Sequence, residues 1–156
     1  SGGGEVTVSM WINPDPVSGD YRLLSQLSGV QPAGAVGIDT GQGAGSLWVN
    51  DGVLKTLVPA GGLTTGTWQH LALVWDGDQV TAYLDGIEQL TATSQFLFAG
   101  VDFGIGAPLL LSFGNAFDGQ IDDVAIFASA LDVGQITSLV NGSPAMRVME
   151  TIFMFR

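Results

Sequence analysis

By strand alternation, Trp11, Trp48 and Tyr83 each fall opposite the most regular aliphatic residues of their own segments, and Asn13, Asn50, Thr81 and Asp85 share that parity. Flat rings beside planar amides and carboxylates suit sugars, because a ring takes the apolar face of a pyranose while the polar groups take its hydroxyls. The same rings are ordinary core if loops cover both faces, and both readings stand for Trp11 and Trp48. Candidate ligand-binding residues are therefore Trp11, Asn13, Trp48, Asn50, Tyr83 and Asp85.

Other chemistry is short of parts. His70 is the single histidine and there is no cysteine, so a zinc site or a nucleophile–histidine arrangement lacks its components. His70 sits among apolar neighbours and reads as a packed, hydrogen-bonded residue, with Trp68 and Trp75 as packing residues beside it. Calcium needs six to eight oxygens, many of them backbone carbonyls. Asp102, Asp118 and Asp122 could supply some of them, so one structural calcium ion is the single cofactor expectation. Asp122 has the parity of Val124 and Ile126, which turns it inward, and Asp123 the parity of Ala125 and Phe127.

These residues must be positioned by strands. The segment 68–75 is apolar on both faces, as a central covered strand requires. Asp76-Gly77-Asp78-Gln79 supplies a tight turn, 80–85 returns, and Asp85-Gly86 turns again. Residues 5–13 alternate cleanly until Pro14-Asp15-Pro16 stops them. Strands follow at 21–26, 35–39, 46–50, 53–58 and 87–93. The glycine-containing stretch 94–109 reads as a long connection. The last strands are 109–113 and 120–127, around the short loop 114–119. A helix is expected at about 132–141: Asp132 can cap it, Gln135 completes a capping box, Leu131 and Ile136 form a staple, and Asn141-Gly142 ends it. This predicts an all-β fold of two antiparallel sheets with one short C-terminal helix.

With 156 residues, the chain fits one domain. Fifteen acidic residues against four Lys plus Arg give a net charge of −11. Nucleic acid and anionic lipid are poor partners for such a surface, and no apolar run approaches the ~20 residues of a membrane span. Residues 1–4, Ser-Gly-Gly-Gly, read as a scar or linker, residues 5–142 as the sandwich, and residues 143–156 as an atypical tail able to supply an edge strand.

The segment W-Q-H-L-A-L-V-W-D-G-D-Q-V-T-A-Y-L-D-G at 68–86 resembles the central hairpin of laminin-G-like domains of the concanavalin A-like lectin/glucanase superfamily. V-T-V-S-M-W-I-N-P at 6–14 is similar to the group's opening strand. F-D-G-Q-I-D-D-V-A-I-F at 117–127 and A-L-D-V-G-Q-I-T-S-L-V at 130–140 are similar to its closing strand and helix. The order and spacing of the four pieces carry the resemblance, which implies a jelly-roll sandwich used mostly in extracellular carbohydrate-binding and adhesion modules.

The chain departs from the pattern in two places. Only five residues precede Val6, where the group usually has a further strand, so residues 151–155 are expected to fill that edge if the strand has not been cut away. The loop 114–119 offers only Asn115 and Asp118, where pentraxin relatives carry a longer set of calcium ligands. Laminarinase-like enzymes of the superfamily use E-x-D-x-x-E on one strand, so that two carboxyls can serve as nucleophile and acid/base. The matching stretch here is Gln120-Ile121-Asp122-Asp123-Val124-Ala125, and neither Gln120 nor Ala125 ionises.

The expectation is a non-catalytic carbohydrate-binding module of a secreted or cell-surface protein. The alternative is a structural or adhesive module with a protein partner, able to dimerise through a free sheet edge. A divergent glycan-active enzyme is the third reading. Partners are a glycan or an extracellular protein, with neither nucleic acid nor membrane insertion.

Overall fold

The computed structural model describes residues 4–26, 33–39, 41–95, 103–107, 115–142 and 151–155. Their elements are β1 (Val6–Pro14), β2 (Asp20–Gln26), β3 (Ala33–Asp39), β4 (Leu47–Asp51), β5 (Leu54–Val58), β6 (Gln69–Asp76), β7 (Gln79–Leu84), β8 (Ile87–Thr93), β9 (Phe103–Ile105), β10 (Asn115–Ala116), β11 (Gly119–Phe127), α1 (Val133–Val140) and β12 (Thr151–Phe155). They build two six-stranded sheets. Sheet A runs β12-β11-β1-β6-β7-β8, and sheet B runs β10-β2-β3-β4-β5 with β9 also on β2. Pairing is antiparallel apart from the short β10–β2 contact. The expected two-sheet sandwich with one short helix is what the chain forms. The segment 109–113, read as a strand, lies outside the described residues. β9 and β10 fall where the sequence offered only a connection and a loop.

The core lies between the sheets. Val6, Val8, Met10 and Ile12 of β1, Leu71, Leu73 and Trp75 of β6, and Val36, Ile38, Leu47, Val49 and Leu57 of sheet B are all buried in one cluster. Alternation explains this directly: on these strands every second side chain turns toward the facing sheet. The hairpin β6–β7 turns at Gly77, with φ +65°, and β7–β8 turns at Asp85 and Gly86, with φ +52° and +80°. Two successive positive φ values make the second a type I′ turn, whose twist matches the strands it joins.

Sheet A has a second layer on part of its outer face. Ala72, Val74, Ala125 and Phe127 point away from the sandwich and are buried with Leu131 and Ile136. The cover is α1 and the segment leading into it. Its N-terminus carries the full capping box: Gln135 N donates to Asp132 Oδ1 at 2.9 Å, and Asp132 N donates to Gln135 Oε1 at 2.9 Å. The segment is tied to β1 through Thr7, whose hydroxyl donates to Ser129 O at 2.8 Å and accepts from Leu131 N at 3.0 Å.

Candidate functional site

Beyond the helix, the outer face of sheet A carries no further layer among the described residues, and its side chains change from apolar to polar and aromatic. The strand pairings lay them out in rows. One row reads Asp122, Trp11 and His70 across β11, β1 and β6. The next reads Gln120 and Asn13. Continuing the Ile12–Gln69 pairing by one residue sets Trp68 opposite Asn13. The 2.8 Å hydrogen bond from Gly66 N to Pro14 O keeps the two chains adjacent past the end of β6.

His70 is the floor of this patch. It is 1% exposed, its Nε2 lies 2.9 Å from Ser9 Oγ, and Trp11 packs on it in a T-shaped contact with ring centroids 5.3 Å apart. Burial pushes the imidazole down to about 4, against the opposing pull of the Asp85 carboxylate. The ring is therefore neutral at physiological pH, and its Nδ1 has no hydrogen-bond partner among the described residues. Asp85 supports the same residue from the β7–β8 turn: its Oδ1 accepts from His70 N at 2.8 Å. In the neighbouring row Asn13 Nδ2 donates to Gln120 Oε1 at 3.1 Å, which joins two amides beside the indoles.

A bulge in β11 decides which acid joins the patch. Ser9 pairs with Ala125 but Trp11 pairs with Asp122, so Asp123 and Val124 together oppose Met10. Asp123 takes φ +47°, the left-handed region that Asp tolerates better than most residues. The extra residue resets the alternation. Asp122 is exposed on the outer face beside Trp11, which corrects the inward orientation expected from its parity with Val124. Ile121 packs against the core instead. Gln120, Asp122 and Ala125 consequently share the outer face, and of the three only Asp122 can ionise.

The six candidate residues divide between two faces. Trp11, Asn13, Tyr83 and Asp85 lie on the outer face of sheet A. Tyr83 sits at the edge of the helix layer, packed against its cluster, and its phenol is pushed up by burial and then by Glu88. Trp48 and Asn50 lie on sheet B. Trp48 does turn away from Leu47 and Val49 as alternation requires, but it is 1% exposed. The Arg22 guanidinium lies 4.6 Å over its ring, held in place by an ion pair with Asp20. A Cβ on Gly37 would stand 2.4 Å from the indole, so that position of β3 is left empty for the ring. Of the two readings of Trp48, the structure has the packed one, which corrects its place among the ligand-binding candidates: the indole is buried, with Arg22 over its ring. Asn50 Oδ1 accepts from Gly52 N at 2.9 Å and belongs to the β4–β5 turn.

Sequence reasoning missed Trp68. Its surroundings in the sequence are those of a packing residue, yet it is 43% exposed, whereas Trp75 is fully buried. Its position just before β6, beyond the reach of α1, is the reason. The signal available in the sequence was the run Thr64-Thr65-Gly66-Thr67, which marks the strand end and hence the rim of the sandwich. For the metal candidates, Asp118 and Asp122 are exposed and Asp102 lies outside the described residues. Among the described residues no three acidic or histidine side chains converge as a metal site.

The chain matches the family model Laminin_G_3, described as the concanavalin A-like lectin/glucanases superfamily, over residues 1–137. None of the curated proteins matches it in sequence. Among solved structures it is similar to domain 4 of AbnA, a GH43 extracellular arabinanase from Geobacillus stearothermophilus in complex with arabinotriose. That match has 24% identity and a TM-score of 0.69 over 90% of this chain and 68% of that one. It is also similar to the IT-sialidase CBM40 of Ruminococcus gnavus bound to α2,3-sialyllactose, at 19% identity and TM-score 0.65 over 89% and 84% of the two chains. A Bacteroides ovatus structure assigned to carbohydrate binding matches at 19% identity and TM-score 0.67. There 88% of this chain covers 41% of that one, well under two thirds of its length. At these identities the likeness is one of fold.

Proposed function

The chain belongs to the Laminin_G_3 family of the concanavalin A-like lectin/glucanases superfamily, and from that premise we propose that it is a non-catalytic carbohydrate-binding module of a secreted or surface protein. Its site is the uncovered half of the outer face of sheet A. The observation that carries the reading is the grouping of Trp11 and Asn13 of β1 with Gln120 and Asp122 of β11 and with Trp68, which leads into β6. The rings stack on the apolar faces of sugar residues, and the amides and carboxylate take hydroxyls. His70 holds Trp11 from below, so the platform is in place before the ligand arrives, which lowers the ordering cost of binding.

The same face supports the reading of binding without catalysis. Hydrolysis by a carboxylate pair needs a second ionisable group beside Asp122, and the flanking positions are Gln120 and Ala125. The fold likeness to an arabinanase domain crystallised with arabinotriose and to a sialidase module bound to sialyllactose supports a glycan as ligand class. The arabinanase is extracellular, which supports an exported setting for this chain as well.

The test is a glycan array followed by titration of the strongest ligand. Trp68→Ala and Trp11→Ala should each weaken binding by about tenfold or more, the scale of one lost ring stack in a desolvated contact. Trp48→Ala should instead lower stability, because it opens a cavity beneath Arg22. An array silent for every glycan would overturn the proposal.

One observation favours a second reading, a protein-binding module. β8 ends sheet A, and its Ile87 and Leu90 are exposed, Ile87 at 68%. Such an edge is open to strand pairing. A silent array together with concentration-dependent dimerisation would support that reading.

A further inference from the structure

Resting on the glycan reading above, we propose that the patch recognises two consecutive residues of a sugar chain, with Trp11 and Trp68 in separate subsites. The argument is one of register. Trp11 stands directly opposite His70, so Trp68, two residues earlier on the neighbouring chain, is its diagonal neighbour. Diagonal pairs on an antiparallel sheet lie about 7–8 Å apart. That separation is too wide for one pyranose to rest squarely on both rings and close enough for linked residues to take one each.

Each ring also has its own polar companion in the cross-strand direction. Asp122 is the direct partner of Trp11, and Gln120 is the direct partner of Asn13, which faces Trp68. The surface therefore repeats one motif, an indole with a hydrogen-bonding side chain beside it, in two successive rows. A site for a single terminal sugar has no use for the second row.

The two rows differ in rigidity. Trp11 is fixed by its T-shaped contact with His70, which in turn is bound to Ser9. Trp68 lies outside the strand and is exposed, where Trp11 is partly buried. The Trp11 subsite is the anchor, and the Trp68 subsite supplies the gain from a second residue. On the other side the layer formed by α1, Leu131 and Phe127 closes the face, so further residues extend only past Trp68, toward the rim.

The experiment is calorimetric titration with the mono-, di-, tri- and tetrasaccharides of cellulose, xylan, mannan and α-arabinan. The expected result, in the series that binds, is a step of about tenfold from one to two residues and a smaller gain beyond. Trp68→Ala should bring the disaccharide to the level of the monosaccharide and leave the monosaccharide unchanged. As Trp68 is exposed, the variant should melt as the parent does. Equal affinity for one and two residues would overturn the two-subsite proposal and leave carbohydrate binding standing. So would a loss in Trp68→Ala that is the same for both lengths. Failure of every sugar to bind would overturn the glycan reading itself, and this inference with it.

Discussion

His70 shows how one residue can be correctly placed by sequence and still be misjudged in consequence. Its neighbours on β6 marked it as packed, and it is. What alternation on a single strand could not reveal is that it is packed on the outer face, beneath Trp11, because that depends on a contact 59 residues away in the chain (70 − 11). The buried imidazole makes stability depend on pH. Unfolded, its pKa is 6.5, and folded it is held down to about 4 by burial. Above pH 6.5 the ring is neutral in both states and its stability contribution is fully present. As pH falls from 6.5 to 4 the unfolded chain takes up a proton that the folded chain refuses, and stability drops by about 3 kcal/mol. Urea midpoints measured from pH 7 to pH 4 should show this slope in the parent and lose it in His70→Gln. A slope of equal size in both proteins would remove His70 as its source. Trp48 and Trp68 teach the complementary lesson. Composition and parity cannot separate an indole covered by an arginine from one standing free, since the Arg22 contact and the end of the helix layer are both tertiary facts.

At the scale of elements, the local signals were the readable ones. The Asp132–Gln135 box, the Asp85-Gly86 turn and the apolar β6 are short-range patterns, and each forms as its chemistry requires. The two failures on β11 and at β9 and β10 have a common cause: a bulge and strands of two or three residues carry too few side chains for period-two alternation to register. The location of α1 was equally hidden, because Thr7, more than 120 residues away from Ser129 and Leu131, supplies its tether. The helix has a consequence that can be measured. Asp132→Ala removes the carboxylate that accepts from Gln135 N and should cost about 1 kcal/mol, read as a lower melting temperature. An unchanged melting temperature would mean that the packing of Ile136 and Leu131 alone sets the helix in place. Among the described residues no helix is long and apolar enough to cross a membrane.

At the scale of the whole molecule, Lys55 joins the two sheets along one side of the sandwich. Lys55 of β5 donates to both Asp51 carboxylate oxygens, at 2.7 and 2.8 Å, and to Thr93 O of β8. It thereby links the edge of sheet B to the edge of sheet A. Burial pushes the Asp51 carboxyl up, but its hydrogen bonds, that of Lys55 foremost, outweigh burial and leave the pKa below 3.8. The stabilisation is therefore complete above pH 3.8 and is lost as acid protonates Asp51. Lys55→Met should cost about 1 kcal/mol at neutral pH, and the difference from the parent should shrink in strong acid. A difference independent of pH would assign the effect to the lysine's aliphatic stem. The global architecture was legible because strand alternation, glycine turns and the four motif segments agree with one another. The choice of face was not, since it depends on what covers what.

The bulge at Asp123 bears on how this surface can change over generations. Opposite Met10 the strand holds two residues where one would keep the ladder regular. Losing a residue there would bring Val124 opposite Met10 and leave Asp122 opposite Trp11 and Ala125 opposite Ser9. A gap at this point in an alignment of related chains is thus compatible with an unchanged surface. A gap two or three residues to either side would exchange inside for outside along the remaining half-strand. Homologues are best compared here by the face each residue occupies, with the column count allowed to slip by one.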